Sequence, residues 1–357
     1  MKILLLSLYG YLAASSRYRF YQYLPYLRQQ GIEVEVAPLL DDEYIKDLYA
    51  GRKKNILNII KAYGKRINQM LRTKIFDLIW IEKEALPWLP GWVEYDLGLS
   101  KVPYVVDYDD AIFHRYDQHK FKLVRILLGR KIDRVMRWAA LVVAGNDYLA
   151  DRARDAGASR IEILPTVIDL EKYCGTPQPI NNAFTIGWIG SPATSGYLTL
   201  IAPALKEICR QGDARVVLVG AGEVDLPDVP VQYVCWSEAT EAEEIQHFDV
   251  GIMPLPDEPW ERGKCGLKLI QYMACARPVV GSPVGVNRKI IRHGVNGYLA
   301  RTNDEWLQAL LMLRENKEHR QRMGEAGRKL VEKEYSLQVT APQLMKMLQS
   351  VKYEGSL

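Results

Sequence analysis

The stretch RGKCGLKLIQYMACARPVVGSPVGVNRKIIRHGVNG, residues 262–297, decides how the chain folds. It opens on glycine and lysine and passes into a short apolar-periodic run, residues 267–274. Pro278 then opens the β-branched pair Val279-Val280, and Gly281-Ser282-Pro283-Val284-Gly285 follows as a turn. In a parallel α/β sheet this reads as loop, helix, strand and loop in succession. The first N–H groups of a helix have no partner within it and lie at the positive end of its dipole, so an anion is favoured there. Lys264 stands just before that start. Lys268, Gln271 and Cys275, at i, i+3 and i+7, share one helical face. A cation and a neutral amide above an anion-binding helix end point to a phosphorylated, hydroxyl-bearing ligand. The other reading is a solvated polar face on an ordinary helix, and both stay open here.

Upstream, the same grammar repeats. Residues 184–189 read as a strand, 190–196 as a loop, 197–211 as a helix and 215–219 as the next strand. The loop Gly190-Ser191-Pro192-Ala193-Thr194-Ser195-Gly196 is suited to cradle a phosphate through backbone N–H groups and hydroxyls. The first half opens likewise, with an apolar strand at 2–8, a glycine-bearing loop, a helix at 17–30 closed by Gly31, and an alternating strand at 32–40. It lacks a G-x-G-x-x-G turn, which argues against a dinucleotide cofactor. Further strands are expected at 76–82 and 102–107. The second leads into Asp107-Tyr108-Asp109-Asp110, an acidic cluster at a strand's carboxyl end, where doubly wound sheets place their ligands. From the residues alone this is a carboxylate pair for a metal-bound diphosphate, or a pair of helix caps.

The length of 357 residues favours two domains, each able to bury a core, and 48% hydrophobic with 25% charged residues is an ordinary globular balance. A first domain at 1–173, completed by a C-terminal helix at 336–357, a linker at 174–182 and a second domain at 183–335 are expected. No run approaches the roughly 18 apolar residues that span a bilayer. The apolar start runs into Arg17 and Arg19 without a small-residue cleavage pattern and reads as strand one, not a leader. Five scattered cysteines without metal-ligand spacing suggest reduced thiols and a cytoplasmic location. The net charge of +4 is uneven: residues 1–170 hold +5 and the remainder −1. Residues 51–74 carry eight cations and no acid over a helical apolar pattern, and 120–137 carry seven cations against Asp133 alone. Such basic amphipathic stretches suit an anionic membrane surface. Nucleic acid is not expected as a partner, since no reading motif accompanies the charge.

Nearly the whole chain resembles the retaining, GT-B-fold glycosyltransferases of family 4 (glycosyl transferases group 1), with the specific motifs mostly between Asp249 and Gly297. That family has an acidic pair eight positions apart, a small-residue helix, the "PVV" strand and a Gly-rich turn. Lys268-Leu-Ile-Gln-Tyr-Met-Ala is similar to the variant in which a lysine precedes the second acid by three. Gly263 and Gln271 stand where the two acids would be, and Ser191 and Ser195 where the family has an arginine and a lysine. The resemblance implies two Rossmann-like, doubly wound parallel-sheet domains facing a central cleft. It implies transfer of a sugar from a UDP- or GDP-linked nucleotide sugar to a glycan or lipid-linked acceptor at the cytoplasmic membrane face, with no cofactor and no metal. Implied donor contacts are Gly190, Ser191, Thr194, Ser195, Lys264, Gly266, Leu267 and Gln271, the last at the ribose. Asp109 and Lys268 are implied at the reacting sugar and diphosphate, with Arg17, Arg19 and Asp110 on the acceptor side. A nucleotide-sugar 2-epimerase of the same fold and a non-catalytic scaffold are the alternatives.

Overall fold

A computed structural model describes residues 1–52, 55–173 and 183–354; the expected linker, 174–182, and the cations Lys53 and Lys54 lie outside the described residues. The chain forms two compact units. One comprises Met1–Thr166, Gly263–Cys265 and the chain from Thr340 on; the other comprises Val167–Arg262 and Gly266–Val339.

In the first unit six parallel strands form one sheet: β1 (Lys2–Leu6), β2 (Glu33–Val36), β3 (Leu78–Glu82), β4 (Tyr104–Tyr108), β5 (Leu141–Ala144) and β6 (Ile161–Ile163). Their order is β2-β1-β3-β4-β5-β6, with Ile3 opposite Val34 on one side and Leu78 on the other. β3, β4 and β5 are buried throughout, which is why they read as continuous apolar runs and not as alternation. The order reverses between β1 and β3, so the crossover connections on the two sides diverge there and leave a crevice at the carboxyl ends of those strands. The last helix, Leu337–Glu354, brings Leu344, Leu348 and Val351 into the interior, and Tyr23 Oη lies 3.0 Å from Thr340 Oγ1.

The second unit repeats the plan with β7 (Phe184–Ile189), β8 (Ala214–Val219), β9 (Val231–Val234), β10 (Val250–Met253), β11 (Val279–Gly281) and β12 (Gly297–Leu299). Its order is β12-β11-β10-β7-β8-β9, all parallel, and here the reversal falls between β7 and β10. The helix Leu267–Ala274 packs onto β10 at Gly251, where a Cβ would lie 2.2 Å from the Tyr272 ring. Trp188, Leu205, Ile252, Trp306 and Leu310 are among the side chains that fill the core beneath.

Several expected elements differ in detail. The helix expected at 17–30 is broken into Ala14–Arg19, a 3-10 turn at Tyr21–Tyr23 and Leu24–Gln29. Pro25 has no N–H to carry the first turn onward, and it sits where a new helix starts most cheaply. For the same reason the helix expected at 197–211 begins as 3-10 and becomes α only at Ala202–Arg210, around Pro203. The expected loop 190–196 contains a short helix, Pro192–Ser195.

Two cations counted toward the basic surfaces are buried. Arg66, on the helix Ile56–Leu71, donates to the carbonyls of Ser7 (2.6 Å), Ala37 (2.9 Å) and Ala85 (3.4 Å), and burial pulls its pKa down to about 10. Lys131 lies 2.6 Å from Glu84 and 2.7 Å from Glu94, all three fully enclosed. Burial pulls the Lys131 ammonium down, but Glu94 and Glu84 outweigh it and raise the pKa. Removing one member of such a cluster leaves an uncompensated buried charge, whose cost is about 3–5 kcal/mol. Lys131→Met is therefore expected to lower the unfolding free energy by about that amount, seen as a lower urea midpoint with an unchanged slope.

Candidate functional site

The second unit builds its candidate site at the point where strand order reverses. Gly190 follows β7 directly, and a Cβ there would meet the Trp188 ring at 2.6 Å and Lys268 Cε at 2.8 Å. The absence of a side chain thus lets Lys268 lie across the loop. Its Nζ sits 5.1 Å from the Trp188 ring centroid and 3.4 Å from Thr194 Oγ1. The helix carrying Lys268 is fixed across both strands by one hydroxyl: Tyr272 Oη accepts from Ile189 N (3.0 Å) and donates to Ile252 O (3.3 Å). Gly266 caps the helix in the left-handed region (φ 70°), where its missing Cβ also makes room for Ile290. Leu267 begins the helix, half-buried, so the first-turn N–H groups and the lysine share one end of the element.

Gln271 is only 4% exposed and donates from Nε2 to Tyr173 Oη (3.0 Å). Tyr173 in turn donates to Glu241 Oε1, and Trp236 Nε1 donates to Glu241 Oε2 (2.6 Å). The amide is therefore oriented by a polar chain ending on a carboxylate. Thr194 Oγ1 points to Ser191 O (3.3 Å), Ser195 Oγ donates to Pro192 O (3.0 Å), and Ser191 is half-buried at the helix N-cap. The Ser195 hydroxyl proton is thus used within its own turn.

In the first unit, charged and hydroxyl groups gather at the carboxyl ends of β1, β3 and β4. Lys83 Nζ lies 2.8 Å from Asp109 Oδ1 and 3.5 Å from Asp110 Oδ2. Ser15 Oγ donates to Asp109 Oδ2 (2.7 Å) and lies 3.1 Å from Glu82 Oε1. Glu82 is buried, and its Oε2 accepts from Leu8 N (2.8 Å) and Ser16 Oγ (2.7 Å). Burial pushes the Asp109 carboxyl up, but the Lys83 ammonium and the hydrogen bonds from Lys83 and Ser15 outweigh it and hold its pKa below the usual value. Lys83 has a left-handed backbone (φ 61°), an unfavourable state for a long side chain, and such outliers concentrate at functional sites.

Residues 263–265 belong to this unit. Lys264 Nζ is 3.5 Å from Asp110 Oδ1, and Asn146 Nδ2 donates to the carbonyls of Gly263 (2.9 Å) and Lys264 (3.1 Å). A Cβ at Gly263 would lie 2.6 Å from that of Ala111, so a larger residue does not fit in this backbone. Arg17 and Arg19, expected on the acceptor side, are both buried. Arg19 donates from Nε and Nη2 to Asp107, each at 2.8 Å, and from Nη1 to Leu164 O at 2.8 Å, so these donors brace the sheet. Arg17 donates from Nη1 to Leu12 O (3.3 Å) and stacks 4.9 Å from the Tyr18 ring.

The reading by residue type had not singled out Ser15, Glu82, Lys83, Trp188, Tyr173 or Tyr272. A signal existed for Glu82-Lys83, which end a fully apolar strand as Asp107-Tyr108-Asp109 does. None existed for Tyr173, whose role arises from packing over a sequence separation that no local pattern records.

Residues 183–316 match the family model described as glycosyl transferases group 1. The chain is 24% identical over 184 residues to the putative teichuronic acid biosynthesis glycosyltransferase TuaH of Bacillus subtilis (strain 168), covering 46% of each chain. It is 36% identical over 78 residues to the N-acetyl-alpha-D-glucosaminyl L-malate synthase of Bacillus anthracis, covering 21% of this chain and 20% of that one. The chain thus spans less than half the length of these curated relatives. Among solved structures, HepE of Anabaena in complex with UDP and glucose is similar with a TM-score of 0.73 at 16% identity, covering 98% of this chain and 100% of that one. The sucrose-phosphate synthase of Thermosynechococcus elongatus gives 0.75 at 15% identity, with 98% and 99% covered. Two parallel six-stranded sheets with this strand order and these structural neighbours are the GT-B fold of glycosyltransferases.

Proposed function

We propose that the protein transfers a sugar from a UDP- or GDP-linked donor to a glycan or lipid-linked acceptor at the cytoplasmic face of a membrane, with retention at the anomeric carbon. The observation that carries this reading is Lys268, held over the Gly190 loop beside Thr194 at the strand-order reversal of the second unit. The diphosphate of the donor meets the Lys268 ammonium and the N–H groups of the first helical turn at Gly266 and Leu267. That arrangement stabilises charge as it grows on the leaving group, which is where a fixed cation contributes most. The ribose meets Gln271, whose orientation Tyr173 sets. Having a single acceptor oxygen, it holds the ribose hydroxyls more weakly than a carboxylate would. Asp109, kept ionised by Lys83, contacts the sugar, Asp110 lines the acceptor side, and Lys264, 3.5 Å from Asp110, adds a cation for the donor diphosphate. HepE of Anabaena, similar in fold, is a structure with UDP-glucose, which favours a nucleotide sugar as donor here.

The transfer needs no metal in this reading, because the ammonium and the helix end neutralise the departing diphosphate. Turnover of a panel of UDP- and GDP-sugars is therefore expected to survive exhaustive chelation; a strict requirement for manganese or magnesium returns the Asp109–Asp110 pair to a metal-holding role.

Lys268→Ala is expected to lower turnover about a hundred- to thousandfold while weakening nucleoside monophosphate binding far less, since the lost interaction grows toward the transition state. A folded alanine variant with near-normal turnover means that another cation carries the diphosphate.

Lys83→Met removes the largest opposition to burial of Asp109 and leaves the Ser15 hydrogen bond, so the acid limb of kcat/KM should move to higher pH. The sign follows from the wild-type state: Asp109 has a lowered pKa, so it stays ionised until the pH falls below the ordinary carboxylate range. An unmoved acid limb in a folded Lys83→Met variant removes Asp109 from the reaction.

A further inference from the structure

The first unit carries a surface that the transfer chemistry leaves unused. The short helix Lys122–Leu128 turns its apolar side outward: Leu123, Ile126 and Leu127, at i, i+3 and i+4, are 66%, 68% and 58% exposed. An amphipathic helix on a globular unit normally turns that stripe to the core, so here it awaits a cover. Phe121 precedes it at 60% exposure, with Lys120 Nζ 5.0 Å over its ring. The aromatic surface continues through His119, 5.4 Å from Phe121 and 5.8 Å from Trp88, which is half exposed. Trp88 itself has a left-handed backbone (φ 64°), so the fold holds an indole outward at a conformational cost.

Adjoining this helix is a cavity of about 500 Å³ lined by Arg125, Arg130, Arg134, Arg137 and Arg152 together with three aspartates. Arg152 is neutralised by Asp117 (3.1 Å) and Asp133 (2.6 Å). The five guanidinium groups of the lining exceed its three carboxylates, Asp117, Asp133 and Asp155, by two charges. Arg130 and Arg134 form no ion pair among the described residues, and with Arg137 they fall at i, i+4 and i+7 on one face. Guanidinium forks of this kind match phosphate oxygens in pairs. Arg125 belongs both to the outward helix and to the cavity, so the apolar and cationic features form one surface.

We propose that this surface docks on a bilayer of anionic phospholipid. Trp88, Phe121, Leu123, Ile126 and Leu127 enter the boundary between headgroups and acyl chains, and the arginine cavity receives a lipid phosphate. The inference rests on the membrane-side part of the proposed function and deepens it by naming the surface and the headgroup chemistry. A soluble phosphate compound would account for the cavity but not for the outward leucines and aromatics. A bilayer accounts for both, because tryptophan and phenylalanine settle at its interface while cations meet its charge.

The test is flotation of the full chain with vesicles of phosphatidylcholine alone and of phosphatidylcholine mixed with phosphatidylglycerol, at low and high salt. The protein should float with the anionic vesicles at low salt and at least about tenfold less with neutral ones or at high salt. Leu123→Asp/Ile126→Asp should lose about tenfold or more of the anionic binding, since both side chains leave water on docking. Arg130→Ser/Arg134→Ser should abolish the preference for anionic over neutral vesicles. All four positions are exposed, and an unchanged circular dichroism spectrum shows that each variant folds. Equal flotation with both vesicle types, or unaltered flotation of either variant, overturns the proposal. So does a rise in melting temperature with inorganic phosphate, lost in Arg130→Ser/Arg134→Ser, when no vesicle is bound: that result assigns the cavity to a soluble anion. Donor turnover without vesicles reads the transferase proposal separately, so flotation without turnover defeats that reading alone and turnover without flotation defeats this one.

Discussion

Every strand in both sheets runs parallel to its neighbours, and that constraint shapes the rest of the structure. A parallel pair has no hairpin, so each connection must climb back across a face of the sheet, and the central strands are covered on both sides. Where strand order reverses, the connections leave in opposite directions and the carboxyl ends stay open. In the first unit that point lies between β1 and β3, and it is there that Ser15, Ser16, Glu82 and Lys83 meet. In the second it lies between β7 and β10, and the Tyr272 hydroxyl bonds the ends of both. Chemistry is placed by topology before any particular side chain is chosen.

The two openings are prepared in different ways. The second unit uses glycine: Gly190, Gly251 and Gly266 each remove a Cβ that would meet a ring, a lysine or an isoleucine, so a helix and a loop approach closely enough to share a cation. The first unit uses buried charge: Asp109 is held by an ammonium, a hydroxyl and a strained backbone turn. One strategy gives close approach of a cation to a loop backbone, the other a carboxylate held by a neighbouring ammonium.

Much of this was legible in residues 262–297, because the helix Leu267–Ala274 and strand β11 follow local rules of periodicity and turn chemistry. Lys268 and the Gly190 loop were named as donor contacts only through the family resemblance, and it is the fold that brings them together. Long-range burial was not legible. Arg19 and Arg66 read in the sequence as ordinary surface cations, yet one pairs with Asp107 and the other lies among three carbonyls. Lys83 was missed because a charged residue after an apolar strand is ordinarily a solvated loop, and only the fold brings Asp109 and Asp110 to it. Helix boundaries shifted where Pro25 and Pro203 interrupt the hydrogen-bond ladder, a covalent effect that overrides apolar spacing.

Arg66 has a mechanical consequence. Its guanidinium reaches the carbonyls of Ser7, Ala37 and Ala85, which lie just beyond the carboxyl ends of β1, β2 and β3, and so rivets the helix Ile56–Leu71 to three neighbouring strands. Hydrogen bonds to a charged group contribute about 1.5–3 kcal/mol each, and lifting the helix would strand both the charge and its acceptors. A helix tethered in this way cannot peel from its sheet as a free amphipathic peptide does. Any force exerted on its exposed lysines and isoleucines passes directly into the sheet, and the helix moves only as the sheet moves.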